Sequence, residues 1–166
     1  MFFKKDNGVS PAINNKVAER SSKWHSIRKA HLKLEPDCVA CGKSKWYRKL
    51  INLIGGLECH HIIPFHICVL ICRPDLELDH RNLITLCSLY KYEHHILIGH
   101  LGDYGSFNTN VRHDAEDRFH KMTKKQILVN QFWKVSSTSK PVDWSKMSQQ
   151  EKDALIIFVN EHFPKQ

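Results

Sequence analysis

The sequence predicts a small α+β domain, and three observations carry that reading. The chain has 166 residues, 42% of them hydrophobic, which is one domain's length with a single modest core. A Cys-x2-Cys-Gly turn, Cys38-Val-Ala-Cys41-Gly42, opens a region of short β-like runs and loops. Stretches with helical periodicity flank that region on both sides.

Residues 1–19 hold Asn7-Gly8 and Ser10-Pro11 without periodicity and read as a flexible N-terminal arm. Ser21 and Ser22 are expected to cap a helix running to about Leu34. Trp24, Ile27, His31 and Leu34 recur at helical spacing, and Pro36 stops the run. After the cysteine turn, residues 43–56 are basic and end in Gly55-Gly56, a hairpin-tip signal. Leu57 to Ile63 reads as a strand closed by Pro64. Residues 65–81 read as a loop with a short apolar piece, and Leu83 to Leu86 as a short β segment. Leu89 to Leu101 is expected to be helical, with Gly102 just beyond it, and Asp114 to about Lys134 forms a further helical stretch. Ser136 to Pro141 is a linker. Ser148 and Glu151 give a capping-box pattern for a last helix, whose Leu155, Ile156, Val159 and Phe163 would pack on the core.

The formal charge is +8 with histidine neutral, which favours a polyanionic partner, nucleic acid first. The longest apolar runs, Ile67 to Cys72 and Ala154 to Val159, fall far short of the roughly 18 residues of a membrane span. The start of the chain carries no secretory pattern, so a cytoplasmic location is expected. Six cysteines there are read as metal ligands or buried thiols rather than disulfides. Cys68 and Cys72 are expected to be buried.

The chemistry concentrates between Cys38 and His100. Cys38 and Cys41 have the spacing that lets two thiolates grip one zinc ion from a single turn, and Cys87 would make a third. The fourth ligand would be His94 or another nearby group. His60 and His61 are neighbours in a strand, so their side chains point to opposite faces and can serve different tasks. One can hold a divalent cation while the other takes a proton from water. One helix would offer His95 and His100 toward His60, although a spacing of five is looser than the usual i to i+4 match. Asn82 is either a turn residue or the group that holds His61 or ties down a loop beside the metal.

Taken together, Cys38-Val-Ala-Cys41-Gly42, Glu58-Cys-His60-His61-Ile-Ile-Pro64-Phe, Glu77-Leu-Asp79, Asn82-Leu-Ile-Thr-Leu-Cys87 and His94-His95-Ile-Leu-Ile-Gly-His100-Leu resemble the HNH endonuclease family. Arg20-Ser-Ser-Lys-Trp24 and Ser106-Phe-Asn108 resemble one branch of it. The resemblance covers roughly residues 20–115, leaving 116–166 as a C-terminal helical extension packing on the core. It implies a ββα-metal core with a zinc-binding knuckle and hydrolysis of DNA phosphodiester bonds. It implies His61 as general base, with Asn82 orienting that base or its loop, and a catalytic Mg, Mn, Ni or Zn ion held by His60, His95 and His100. It implies a separate structural zinc on Cys38, Cys41 and Cys87. Family members often continue from the last cysteine as Cys-x2-Cys-His; Tyr90 and Lys91 stand there in this chain, and His94 and His95, after a small insertion, are the residues placed to take over, with His94 the expected fourth ligand. With histidine rather than aspartate at position 60, the site suits softer ions such as Zn, Ni or Mn.

Arg28 and Lys29 on the first helix, with Lys43, Lys45, Arg48 and Lys49 near the hairpin, are the expected contacts to DNA phosphates. Trp46 among them either packs on DNA or is buried. The partner would be duplex DNA, with the protein a monomer or homodimer. The competing readings are a non-catalytic zinc-containing nucleic-acid-binding module and a metal-held interaction domain.

Overall fold

A computed structural model describes residues 19–44, 56–130 and 147–165. The basic segment with Lys45, Trp46, Arg48 and Lys49, the expected linker and the N-terminal arm up to residue 18 lie outside the described residues.

The first helix, α1, spans Trp24–Leu34. It starts later than the serines suggest: Lys23 is the capping position and makes no side-chain cap. Ser21 instead accepts the Lys23 amide on its hydroxyl, at 3.2 Å. Only His31 of this helix is fully buried, and Leu34 is 72% exposed. The apolar periodicity therefore overstates the buried face.

Two strands, β1 (Leu57–His61) and β2 (Leu83–Cys87), pair antiparallel, with Leu57 opposite Cys87 and His61 opposite Leu83. β1 ends two residues earlier than its apolar run. At that point the Ile62 and Ile63 amides bond to Asn82, through its carbonyl and its side chain respectively. All five residues of β2 are buried, because both faces of this small sheet are covered. The Cys59 and Thr85 side faces α1, where the Thr85 hydroxyl donates to the Glu35 carbonyl at 2.8 Å. The His60 and Ile84 side faces a turn that follows β2.

The segment between the strands is more ordered than its composition suggests. It holds a helix α2 (Phe65–Leu70) and two single 3-10 turns, Pro74–Glu77 and His80–Asn82. Pro64 is the residue before α2, where its fixed φ starts a helix as readily as it ends a strand. Conversely, the helix expected over Leu89 to Leu101 shrinks to one π-type turn, His95–Gly99. Glu93, with φ of 49°, breaks the chain just before it. The stretch from Asp114 is likewise divided: a short helix α3 (Val111–His113), a π-type turn Asp114–Arg118 and a helix α4 (Lys124–Val129). Lys121, at φ 59°, marks the break between them.

The last helix, α5 (Gln149–His162), begins with the reciprocal Ser148–Glu151 capping box. Leu155, Val159 and Phe163 join the core cluster of Ile63, Ile84, Leu86 and Phe119, whereas Ile156 lies at the surface, 36% exposed. Among the described residues no helix is long and apolar enough to cross a membrane.

Candidate metal centres and active cleft

Two groups of metal-ligating side chains converge within the described residues: Cys38, Cys41, Cys87 and His94, all buried, and His60, His95 and His100.

The first is built on a knuckle. Cys38 and Cys41 face inward because the Cys41 and Gly42 amides both fold back onto the Cys38 carbonyl, at 3.2 and 2.7 Å. Gly42 takes the left-handed φ of 64° that the turn requires. A hydrogen bond from the Val39 amide to the Thr85 carbonyl, at 3.0 Å, pins the knuckle to β2, the strand that ends in Cys87. His94 donates from Nε2 to the Met122 carbonyl at 2.7 Å, since a carbonyl can only accept. That fixes its tautomer and leaves Nδ1 facing the sulfurs, 3.5 Å from both Cys38 and Cys87. The sulfurs of Cys41 and Cys87 are 3.8 Å apart. A tetrahedral ion with ordinary Zn–S and Zn–N bonds demands edges of about 3.8 Å between sulfurs and about 3.5 Å between sulfur and nitrogen. The cluster has those edges and so fits a structural zinc.

Its electrostatics ask for positive charge. Hydrogen bonding from Cys41 and Cys87 drives the Cys38 thiol well down, and the same crowding drives Cys41 well up. Burial opposes charge on His94, but the two sulfurs it faces outweigh burial and lift it to about 10. A dication would relieve the repulsion among three thiolates.

The second group depends on a close approach. His60 projects from β1 onto the π-type turn, where a Cβ on Gly99 would stand only 3.0–3.2 Å from the His60 ring atoms. Only a residue without a side chain lets the turn come this near. The π-type turn also accounts for the spacing of five: its hydrogen bonds run from i+5 to i, so residues five apart stack. The rings of His95 and His100 lie 4.9 Å apart, and each is within 5.2 Å of His60. His100 donates from Nδ1 to the Ser106 carbonyl at 2.9 Å, leaving Nε2 as its ligand atom. Below the turn, buried Asn108 donates to the Ile98 carbonyl and to Asp114, at 3.1 and 2.8 Å, and holds the turn in place.

The Nε2 atom of His60 is buried without a hydrogen-bond partner, an arrangement that costs about 1–3 kcal/mol unless something meets it. Burial holds His60 well below the usual histidine range. Burial, with the His100 ring beside it, lowers His95 to about 4, and burial lowers His100 as well. Three neutral imidazoles with converging lone pairs fit a divalent cation.

His61 points the other way. Its ring stacks on Trp24 of α1 at 4.4 Å, and Nε2 donates to the Glu77 carbonyl at 3.0 Å. The tautomer is thereby fixed with Nδ1 free to accept a proton. Burial lowers its pKa to about 4, against the pull of the Glu77 carbonyl and with the Arg20 charge adding to the fall. Glu77 is itself buried, and its carboxylate accepts the Ser21 amide at 3.0 Å, tying the start of α1 to the residue that orients His61. Both histidines line one open cleft of about 590 Å³, together with Arg20, Arg28, His66 and Tyr104.

The Asn82 side chain makes no hydrogen bond to His61 and acts on the loop beyond it. It accepts the Ile63 amide at 2.7 Å and donates to the Ile63 and Leu76 carbonyls, both at 3.0 Å, so that it clamps the chain just after β1. Cys68 is buried, its thiol donating to the Ile63 carbonyl, whereas Cys72 is exposed at φ 56°, contrary to expectation. Arg28 is half-buried and bonded to Glu58 at 3.2 Å, Lys29 is exposed on α1, and Lys43 follows the knuckle.

Gly99, Glu77, Ser106 and Trp24 were not assigned these positions from the sequence. Gly99 had the clearest signal, a glycine interrupting a helical pattern between two histidines. Backbone carbonyls such as those of Glu77 and Ser106 carry no sequence signal. No family model, curated protein or solved structure matches the chain.

Proposed function

We propose that the chain is a metal-dependent DNA endonuclease of the HNH type. The observation that carries this reading is the pairing of two adjacent strand histidines with opposite duties. His60 shares a site with His95 and His100, and His61, oriented through Nε2, presents a free Nδ1 in the same cleft.

A divalent cation held by His60, His95 and His100 would polarise the scissile phosphate and offset charge on the leaving oxygen. The protein's own groups do the rest. His61 is neutral at pH 7 because burial keeps its pKa near 4, so Nδ1 is ready to take a proton from an attacking water. The Glu77 carbonyl then steadies the imidazolium through the Nε2 hydrogen bond. Trp24 fixes the ring plane by stacking, and Asn82 fixes the chain just beyond His61. Arg20 at the cleft wall, beside the Arg28–Glu58 pair, supplies positive charge for a phosphodiester. The Cys38, Cys41, Cys87 and His94 group is structural, holding the knuckle to β2 and to the chain at Met122.

Plasmid nicking with added Mn or Ni tests the reading. Cleavage by the parent, and its loss by about 10²–10⁴-fold in His61→Ala with zinc content unchanged, is expected. A parent that never cuts but binds DNA in a salt-sensitive way would make this a non-catalytic binding module.

A further inference from the structure

A second groove lies between α1 and β1, about 860 Å³ in volume, walled by His25, Arg28, Lys29 and Lys33 and by Glu58 and Ser88. Arg28 and Glu58 line the histidine cleft as well, so the two depressions meet across the Arg28–Glu58 pair. The helix runs antiparallel to β1: Trp24 stacks on His61, Arg28 reaches Glu58, and Lys33 borders the groove that Leu57 enters. The trough therefore leads away from the catalytic histidines along one side, over about 12 Å from position 25 to position 33 of the helix.

Its charge is one-sided. Residues 25, 29 and 33 are spaced by four and form a single stripe on α1. No acidic residue occurs in α1, and Glu58 is already paired with Arg28. Lys29 and Lys33 have no carboxylate partner among the described residues. Like charges at i and i+4 weaken an isolated helix by a few tenths of a kcal/mol per pair, a cost that a polyanion in the trough reverses.

We propose that this trough is the path of one DNA strand flanking the scissile bond, with Lys29 and Lys33 each neutralising a phosphate on the same side of the cut. The proposal rests on the nuclease reading for the location of the cut, but its test is a binding measurement. A fluorescein-labelled 24-base-pair duplex of mixed sequence is titrated with full-length protein in the His61→Ala background over a range of salt concentrations. Lys29→Gln/Lys33→Gln is expected to weaken binding roughly tenfold and to reduce the slope of log K against log salt by about 1.8, or 0.9 per lost phosphate contact. Lys121→Gln/Lys125→Gln makes the same change in net charge at exposed positions outside the trough and is expected to leave the slope unchanged.

An unchanged slope in the trough variant, or an equal fall in the control pair, overturns the proposal. If the parent nicks plasmid and the trough variant binds like the parent, only the trough is lost. If the trough variant shows the expected loss while the parent never cuts, the trough stands as a binding surface and the nuclease reading falls. No binding of the duplex by either overturns both.

Discussion

Replacing Gly99 by alanine should damage the three-histidine site while sparing the fold. The new Cβ would sit 3.0 Å from Cε1 and 3.1 Å from Nε2 of His60. Non-bonded carbons prefer separations of about 3.5–4.0 Å, so ring and turn must part by about half an ångström. His60 is only 4% exposed, so its ring can yield only by shifting toward the cleft it lines. Metal sites tolerate ligand displacements of about 0.2 Å, so the shift exceeds tolerance more than twofold. Mn or Ni affinity should fall by about 10–100-fold, the range seen when the support of a ligand is removed, equivalent to about 1.4–2.7 kcal/mol. The backbone at Gly99 does not need a glycine φ, and alanine favours a helical turn, so thermal stability should change little. Calorimetric titration with Mn or Ni, beside zinc analysis of the same samples, reads both quantities. Unchanged metal affinity in Gly99→Ala would mean that the contact with the turn does not position His60 as a ligand.

Three further outcomes are expected. Stripping zinc with a strong chelator should abolish the cooperative thermal transition, because the knuckle, β2 and His94 share one site; retention of native circular dichroism in zinc-free protein would contradict this. Without added divalent ions, stability should rise as pH increases from about 4 to 6.5: His61 and His95 titrate near 4 when folded but near 6.5 when unfolded, so the unfolded chain binds more protons in that window. For His61 alone the effect is about 3 kcal/mol, and denaturant midpoints at pH 4.5 and 7 would show it. Asn82→Ala leaves the Ile63 amide and carbonyl and the Leu76 carbonyl without their bonds and should cost about 2–4 kcal/mol in chemical denaturation; a loss below 1 kcal/mol would mean that water replaces the clamp.

The sequence was most informative where ligand chemistry depends on residue type and short spacing. Cys38 and Cys41 announce a knuckle, and alternation along a strand separates His60 from His61. The Ser148–Glu151 box was legible because both of its bonds are local. Extents of helices were less legible. Leu89 to Leu101 has helical periodicity, yet tertiary demands prevail: His94 must reach the thiols while His95 reaches His60, and the chain satisfies both with a break at Glu93 and one wide turn. The spacing of five between His95 and His100 looks too long under α geometry, in which five residues overshoot a turn. α2 was hidden because six residues are too few to display a period. Groups that orient others through main-chain atoms, as Glu77 does for His61, leave no trace in side-chain identity.

Cys38 and His94 stand 56 residues apart in the chain, and a single ion held between them would close that loop. By the relation for a covalent cross-link of that length, the closure is worth about 4 kcal/mol. During synthesis both strands leave the ribosome before His94 does, so His60 and His61 exist for a time without the clasp that secures their sheet. The sheet that carries them would then be secured only after His94 has emerged and an ion has been captured between the knuckle and that residue.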